Sequence, residues 1–213
     1  MKLLIPGGAG YIGSHAVKHA QECNHEVVIL DDFSTGHREA IKDCEVIEVS
    51  LLDKDKLKKL LNGRHFDGVI HFAAKSLVGE SIQNPYLYYE ANVVGTLNLL
   101  NSMLINNITD IVFSSSAAIF GNPLSEIIDE KHLKNPINPY GMSKLMVENI
   151  LMDMSINNNI NASSLRYFNA AGAHKSGLIG ESHNPETHII PNILESINTP
   201  NLFKIFGDDY PTP

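Results

Sequence analysis

Tyr140 and Lys144 stand four residues apart in the run NPYGMSK at 138–144. At the opening of a helix that spacing puts a phenol and an ammonium group on one face. A free tyrosine, with a pKa of about 10, is a poor base at neutral pH. A neighbouring cation favours the phenolate and brings that pKa down, so the pair could draw a proton from a hydroxyl group. Ser116 closes the run IVFSSS at 111–116. It is expected at the C-terminal end of a strand, the edge on which open α/β sheets bind ligands, where it could donate to the same oxygen. Tyr-x-x-x-Lys is a common spacing, and its meaning depends on what else the chain carries.

The chain also carries PGGAGYIG at 6–13, straight after the apolar run 3–5, and a second apolar run at 27–30 that ends in Asp31 and Asp32. Strand, glycine turn, helix, strand, acid is the arrangement of a dinucleotide site. Gly7, Gly10 and Gly13 would allow a tight turn, backbone approach to a pyrophosphate and close helix–strand packing. The helix opening near Tyr11 would turn its positive end to the phosphates. Asp31 falls where a carboxylate grips a ribose 2′-hydroxyl and repels a 2′-phosphate, which predicts NAD rather than NADP.

These groups need a scaffold, and the hydrophobic pattern supplies one. Strands at 3–5, 27–30, 45–49, 68–72, 111–113 and 162–167 alternate with helical stretches, as in a parallel sheet covered on both faces. Asp53 caps one helix, striped with Leu57, Leu60 and Leu61 and stopped at Gly63. Asn84-Pro85 opens a long helix to about 106, with Tyr89, Val93, Leu97, Leu100 and Leu104 as its core stripe. Asn138-Pro139 opens another to about 154. From 171 to 191 the pattern lapses into Gly, Pro, His and Asn, as in a functional loop region. The predicted architecture is a Rossmann-type doubly wound α/β domain over 1–170, then the beginning of a small C-terminal substrate-binding region over 171–213.

A net charge of −8 and scattered basic residues argue against nucleic acid as a partner. No apolar stretch approaches the length of a membrane span. The first strand runs straight into the glycine turn, so no signal peptide is expected. Cys23 and Cys44 are the only cysteines, read as reduced thiols of a cytoplasmic protein. The ten histidines are scattered, and no metal site is expected.

Longer motifs carry a family resemblance: GGAGYIGSH at 7–15, VIHFAA at 69–74, LVGES at 77–81, NVVGTLNLL at 92–100, FSSSAAIFG at 113–121, NPYGMSK, LRYFNAAGAH at 165–174, NPETHIIP at 184–191 and IFGDDYPTP at 205–213. The chain resembles the extended short-chain dehydrogenases/reductases and, within them, the UDP-glucose 4-epimerases. That resemblance implies interconversion of UDP-glucose and UDP-galactose through a 4-keto intermediate with tightly held NAD, in galactose metabolism. Ser116, Tyr140 and Lys144 would be catalytic, with Tyr140 as the base. Gly7, Gly10, Tyr11, Ile12, Gly13, Asp31, Asp32, Phe33, Ser34, Thr35, Gly36, Ser50, Leu51, Phe72, Ala73, Ala74, Ser76 and Phe168 would line the cofactor with Tyr140 and Lys144. Asn169, His188, Ile189, Lys204 and Phe206 would join Ser116 and Tyr140 around the UDP-sugar. A homodimer through helices 85–106 and 140–154 is expected.

The chain departs from its relatives at Pro6 (usually Thr), Ser50 (often Asp), Ser76 (often Lys), Ala91 (often Asn) and Phe120 (often Tyr). These bear on cofactor affinity more than on mechanism. Relatives also continue beyond Pro213, so the chain reads as an N-terminal piece. A 4,6-dehydratase of the same family would need a carboxylate just after Ser116, where Ala117 and Ala118 stand. An NAD-binding remnant without turnover is the alternative from another class.

Overall fold

The computed structural model describes residues 1–199. Chain contacts divide it into two compact units, Met1–Ala170 and a second that begins at Ala171. In the first, six parallel strands are ordered β3-β2-β1-β4-β5-β6. They span β1 (Lys2–Pro6), β2 (Glu26–Asp31), β3 (Glu45–Glu48), β4 (Gly68–His71), β5 (Asp110–Ser116) and β6 (Asn161–Tyr167). This is the doubly wound order, with its switch point between β1 and β4, where ligand crevices form. Helices α1 (Tyr11–Glu22), α2 (Lys54–Leu61), α3 (Val78–Gln83), α4 (Pro85–Tyr88), α5 (Gly95–Ile105) and α6 (Pro139–Asn157) accompany the sheet. The second unit contributes α7 (Ile189–Asn198).

Two apolar clusters form the core. One gathers Leu4, Val28, Leu57, Leu99, Phe113 and Val147, and the other Ile5, Val17, Ile29 and Ile41. Alternate residues of β1 and β2 thus divide between the clusters, as a strand's period of two requires.

Pro6 costs β1 one ladder bond. Its carbonyl accepts from Phe72 N at 2.8 Å, but the ring leaves no N–H to return, and the β1–β4 register ends at Leu4.

The helix expected from Pro85 runs to Ile105, but residues Tyr89–Val94 form a π turn inside it. The wider turn shifts the helix's phase. Leu97, expected in the core stripe, is 43% exposed, while Tyr88, Asn92, Thr96, Leu99 and Met103 face inward. The helix from Pro139 runs past 154 to Asn157, and α3 had no clear signal in the sequence.

Candidate active site

The turn after β1 is closed at backbone level. Gly7 has φ +77°, and a Cβ there would lie 2.3 Å from Ala73 N on the far side of the switch point. A Cβ at Gly13 would lie 2.1 Å from the Gly7 carbonyl oxygen. Gly10 caps α1 with no side-chain hydrogen bond, and no acid occupies the first helical turn. The opening turn of α1 is therefore not countered by a carboxylate of its own, which suits an anion and fits a pyrophosphate.

Asp31 ends β2 in nearly full burial. One of its carboxylate oxygens accepts from Ala9 N and the other from Phe33 N, each at 2.9 Å. Burial raises its pKa against those two hydrogen bonds. Asp31 thus ties the glycine turn to β2, and each oxygen keeps a lone pair for a ribose hydroxyl. Burial also works on Asp32, but hydrogen bonds from Ser34 and the Ser50 hydroxyl, and the charge of Lys75, outweigh it and lower its pKa.

Residues 32–37 fold back over the turn, with His37 N donating to the Ala9 oxygen at 2.9 Å. This sets Gly36 against Ala9, alongside Ser34 and Thr35. Phe33 has φ +56° and is covered by the Arg38 guanidinium, 3.8 Å from its ring centroid, which also pairs with Glu48. Phe72, Ala73 and Ala74 follow β4 at the same edge. Leu51 is buried in the core, which leaves only its backbone to a site. Ser76 is exposed; Lys75, beside it, is the cation at this edge, a residue the sequence reading missed.

The second part of the site lies at the end of β5. Asn138 caps α6 by accepting from Gly141 N at 2.8 Å. A Cβ at Gly141 would lie 2.4 Å from the Ala118 oxygen, so α6 seats its first turn directly on the Ala117–Ile119 turn. That approach brings Tyr140 to Ser116. The Ser116 hydroxyl accepts from Ala118 N at 3.1 Å and lies near enough to Tyr140 to pull its pKa down. With its acceptor face held by the backbone, Ser116 can give its proton to the phenol oxygen. Tyr140 also meets Tyr88 edge-on, with centroids 6.5 Å apart.

Lys144 differs from its expected part. It is 3% exposed, and its Nζ donates to the Ser114 oxygen at 2.8 Å and lies 5.9 Å from the Tyr140 ring centroid. Burial brings its pKa down to about 7. Tyr140, expected to be lowered by this cation, is instead raised by its own burial, with only the Ser116 hydrogen bond pulling the other way. The reason is desolvation. A lysine close to neutrality has little charge to lend, and what it has is aimed at a carbonyl.

Neighbouring groups hold this corner together. Glu148, a turn beyond Lys144, accepts from Ser115 at 2.6 Å and from Arg166 at 2.8 and 3.0 Å, pinning α6 to β5 and β6. Asn92, in the π turn, accepts from Lys75 N at 2.8 Å and donates to the Ser143 hydroxyl at 2.9 Å, linking the two halves of the site. Neither was singled out from sequence; a buried Asn in a helix stripe was the available signal. His71 on β4 has its pKa lowered to about 3, first by burial and then by Lys144.

Phe168 and Asn169 follow β6 and are exposed. His188 and Ile189 belong to the second unit, at the start of α7. Lys204 and Phe206 lie outside the described residues. The absence of a metal site was expected from the scattered histidines, yet Glu181, His183, Glu186 and His188 converge in the second unit.

Fold and site together define a Rossmann-type protein that carries Ser116, Tyr140 and Lys144 at the ligand edge of its sheet. The chain belongs to the NAD dependent epimerase/dehydratase family, whose sequence pattern matches residues 3–212. It is 47% identical over 214 residues to a UDP-glucose 4-epimerase of Lactobacillus helveticus, covering 100% of this chain and 65% of that relative. The crystal structure of a UDP-glucose 4-epimerase from Brucella ovis in complex with NAD superposes with a TM-score of 0.95 at 40% identity, over 100% of this chain and 66% of that one. That of Bifidobacterium longum, in complex with NAD+ and UDP, gives a TM-score of 0.90 at 32% identity over 100% and 67%. The chain therefore spans about 65% of the length of the curated relatives it matches.

Proposed function

We propose that this polypeptide is the greater part of a UDP-glucose 4-epimerase, interconverting UDP-glucose and UDP-galactose in galactose metabolism through a 4-keto sugar. The observation that carries the reading is the placement of Tyr140, on the first turn of α6, beside Ser116 at the end of β5, with Lys144 one turn away, at the edge that also holds the glycine cradle. High identity to several UDP-glucose 4-epimerases supports the substrate. Ala117 and Ala118 offer no carboxylate to expel a 6-hydroxyl, which favours epimerisation over dehydration.

NAD would be held by the Gly7–Gly10–Gly13 turn and the N-terminus of α1 at its pyrophosphate, and by Asp31 at a ribose. Residues 32–36, Ser50, the Leu51 backbone and residues 72–74, with Ser76 and Phe168, would line the rest. When bound, NAD supplies a reversible two-electron acceptor and a positive charge beside Tyr140. As the phenolate, steadied by a hydrogen bond donated from Ser116, Tyr140 takes the proton of the sugar 4-hydroxyl and becomes the neutral phenol. After the 4-keto sugar has turned, Tyr140 returns the proton to the 4-oxygen. Lys144, held on the Ser114 carbonyl, gains charge when Tyr140 is the phenolate, because an adjacent anion raises a lysine pKa. Asn169, His188, Ile189, Lys204 and Phe206 are the proposed contacts of the UDP-sugar.

Tyr86, Leu97 and Ile105 on the helix from Pro85, and Met146 and Met152 on α6, are large apolar side chains left exposed. They support a homodimer through these helices. No described helix is long and apolar enough to cross a membrane, and a cytoplasmic location is the matching proposal.

The test is a coupled assay with UDP-galactose, run on the 213-residue chain and on one extended to the relatives' length. Turnover that depends on Tyr140 supports the epimerase. NAD binding without turnover in both forms replaces it with a cofactor-binding protein that lacks catalysis.

A further inference from the structure

Residues 181–188 read Glu-Ser-His-Asn-Pro-Glu-Thr-His. One donor atom from each of Glu181, His183, Glu186 and His188 lies within 4.8 Å of all the others. His188 Nδ1 is 2.9 Å from Glu181 Oε1 and 2.8 Å from Glu186 Oε1. His183 Nδ1 is 3.5 Å from Glu181 Oε1 and 3.6 Å from Glu186 Oε2. The two carboxylate side chains are only 7% and 9% exposed.

Hydrogen bonding accounts for only part of this cluster: Glu186 Oε1 accepts from Thr187 N at 2.8 Å and His188 N at 2.9 Å, but Glu181 is not served in this way. His188 Nδ1 can carry one proton, and it is committed to Glu186. Glu181 Oε1 is buried and, beyond its ion-pair distance to His188, finds no hydrogen-bond donor among the described residues. Two buried carboxylates facing one another need positive charge between them. A tetrahedral ion with bonds of about 2.0–2.1 Å sets its ligands about 3.3–3.4 Å apart. The separations of the two imidazole nitrogens from Glu181 Oε1, 2.9 and 3.5 Å, bracket that edge.

We propose that Glu181, His183, Glu186 and His188 form a site for a divalent transition-metal ion, with Zn2+ as the occupant that suits two imidazoles and two carboxylates. Ca2+ and Mg2+ ask for all-oxygen shells, and thiolate-seeking ions find no cysteine here. Four protein ligands close a tetrahedral shell, which makes the site structural. It pins the loop that leads into α7, and it uses only Nδ1 of His188. The proposal does not depend on the epimerase reading.

The 213-residue chain, stripped with a chelator and moved to a non-coordinating buffer, is titrated calorimetrically with ZnCl2. A parallel titration with CoCl2 is followed by visible absorption. The expected result is one zinc per chain with a Kd of about 1 µM or tighter. It includes the intense absorption of four-coordinate cobalt, displaced by zinc and untouched by Mg2+ or Ca2+. His183→Ala and Glu181→Gln should each weaken zinc by about tenfold or more. His65→Ala, at a side chain 81% exposed in the first unit, should not. If the variants fail to fold, the wild-type cobalt spectrum decides alone. No saturable binding below about 100 µM, a pale six-coordinate cobalt spectrum, or wild-type affinity in folded His183→Ala overturns the site and leaves an ion-pair cluster only.

Discussion

The glycine turn after β1 and the corner at Ser116, Tyr140 and Lys144 face the same edge of one sheet, but different means hold them. The turn is a backbone object, assembled within about thirty residues, and what it demands is the absence of side chains at Gly7 and Gly13. The corner is a side-chain object, drawn from β5 and α6, and what matters is how burial alters proton affinity. A backbone site of this kind should tolerate changes of side chain around its rim, at Ser50, Ser76 and Ala91, while the cradle stays intact. A desolvated acid–base corner has no such margin.

Removing the phenol should break the corner while sparing the turn. In the chain extended to the relatives' length, Tyr140→Phe should keep NAD binding and lose about 10²–10⁴ in turnover. A rate within threefold of wild type would mean that another group is the base.

The converse break is Gly13→Ala, which drives a methyl group to 2.1 Å from the Gly7 oxygen. It should cost about 3 kcal/mol or more in urea unfolding, as severe overpacking does, and abolish NAD binding. An unchanged midpoint would mean that the turn is looser than its geometry.

Lys144 sharpens the contrast, because it should oppose stability while serving the site. Its folded pKa of about 7 lies below an unfolded value of about 10.4. Between those values the unfolded chain binds more protons, so stability rises as pH rises from about 7 towards 10. Lys144→Met should flatten that rise and stabilise the chain at pH 7 by about 1–2 kcal/mol, because the unfolded chain no longer gains a proton that burial denies the folded one. Denaturant midpoints of both forms across this range check it; parallel pH curves would refute the burial argument.

The smallest effect is expected at Asp31. Asp31→Asn keeps the shape but loses the charge, and one of the Ala9 and Phe33 N–H groups loses its acceptor. The preference for NAD over NADP should narrow by roughly tenfold, about 1.4 kcal/mol, in side-by-side binding titrations. Equal affinity of the wild type for the two would remove Asp31 from its role. Arg38 is already engaged by Glu48 and Phe33, which agrees with a site not arranged for a 2′-phosphate.

Much of this was legible in one dimension because local sterics and periodicity govern it. All six strands, the glycine turn, the acid after β2 and the Asn-Pro starts of two helices stand in the sequence within a residue or a few of their observed bounds. Leu97 shows where periodicity fails, since one π turn moved it out of the core. Asn92 and Glu148 show a second limit, because residues that anchor a site through partners tens of positions away leave no mark of their own.

The sequence by itself determined the parallel α/β architecture, the backbone cradle and the face shared by Tyr140 and Lys144, since each follows from spacing, chain geometry or the lack of a Cβ. Tertiary structure alone decided that Tyr140 is raised rather than lowered, that Lys144 sits near neutrality and that four scattered-looking acids and histidines converge on one point. Proton affinity depends on how much water and opposing charge the folded chain leaves around a group, and that is set by packing from every direction.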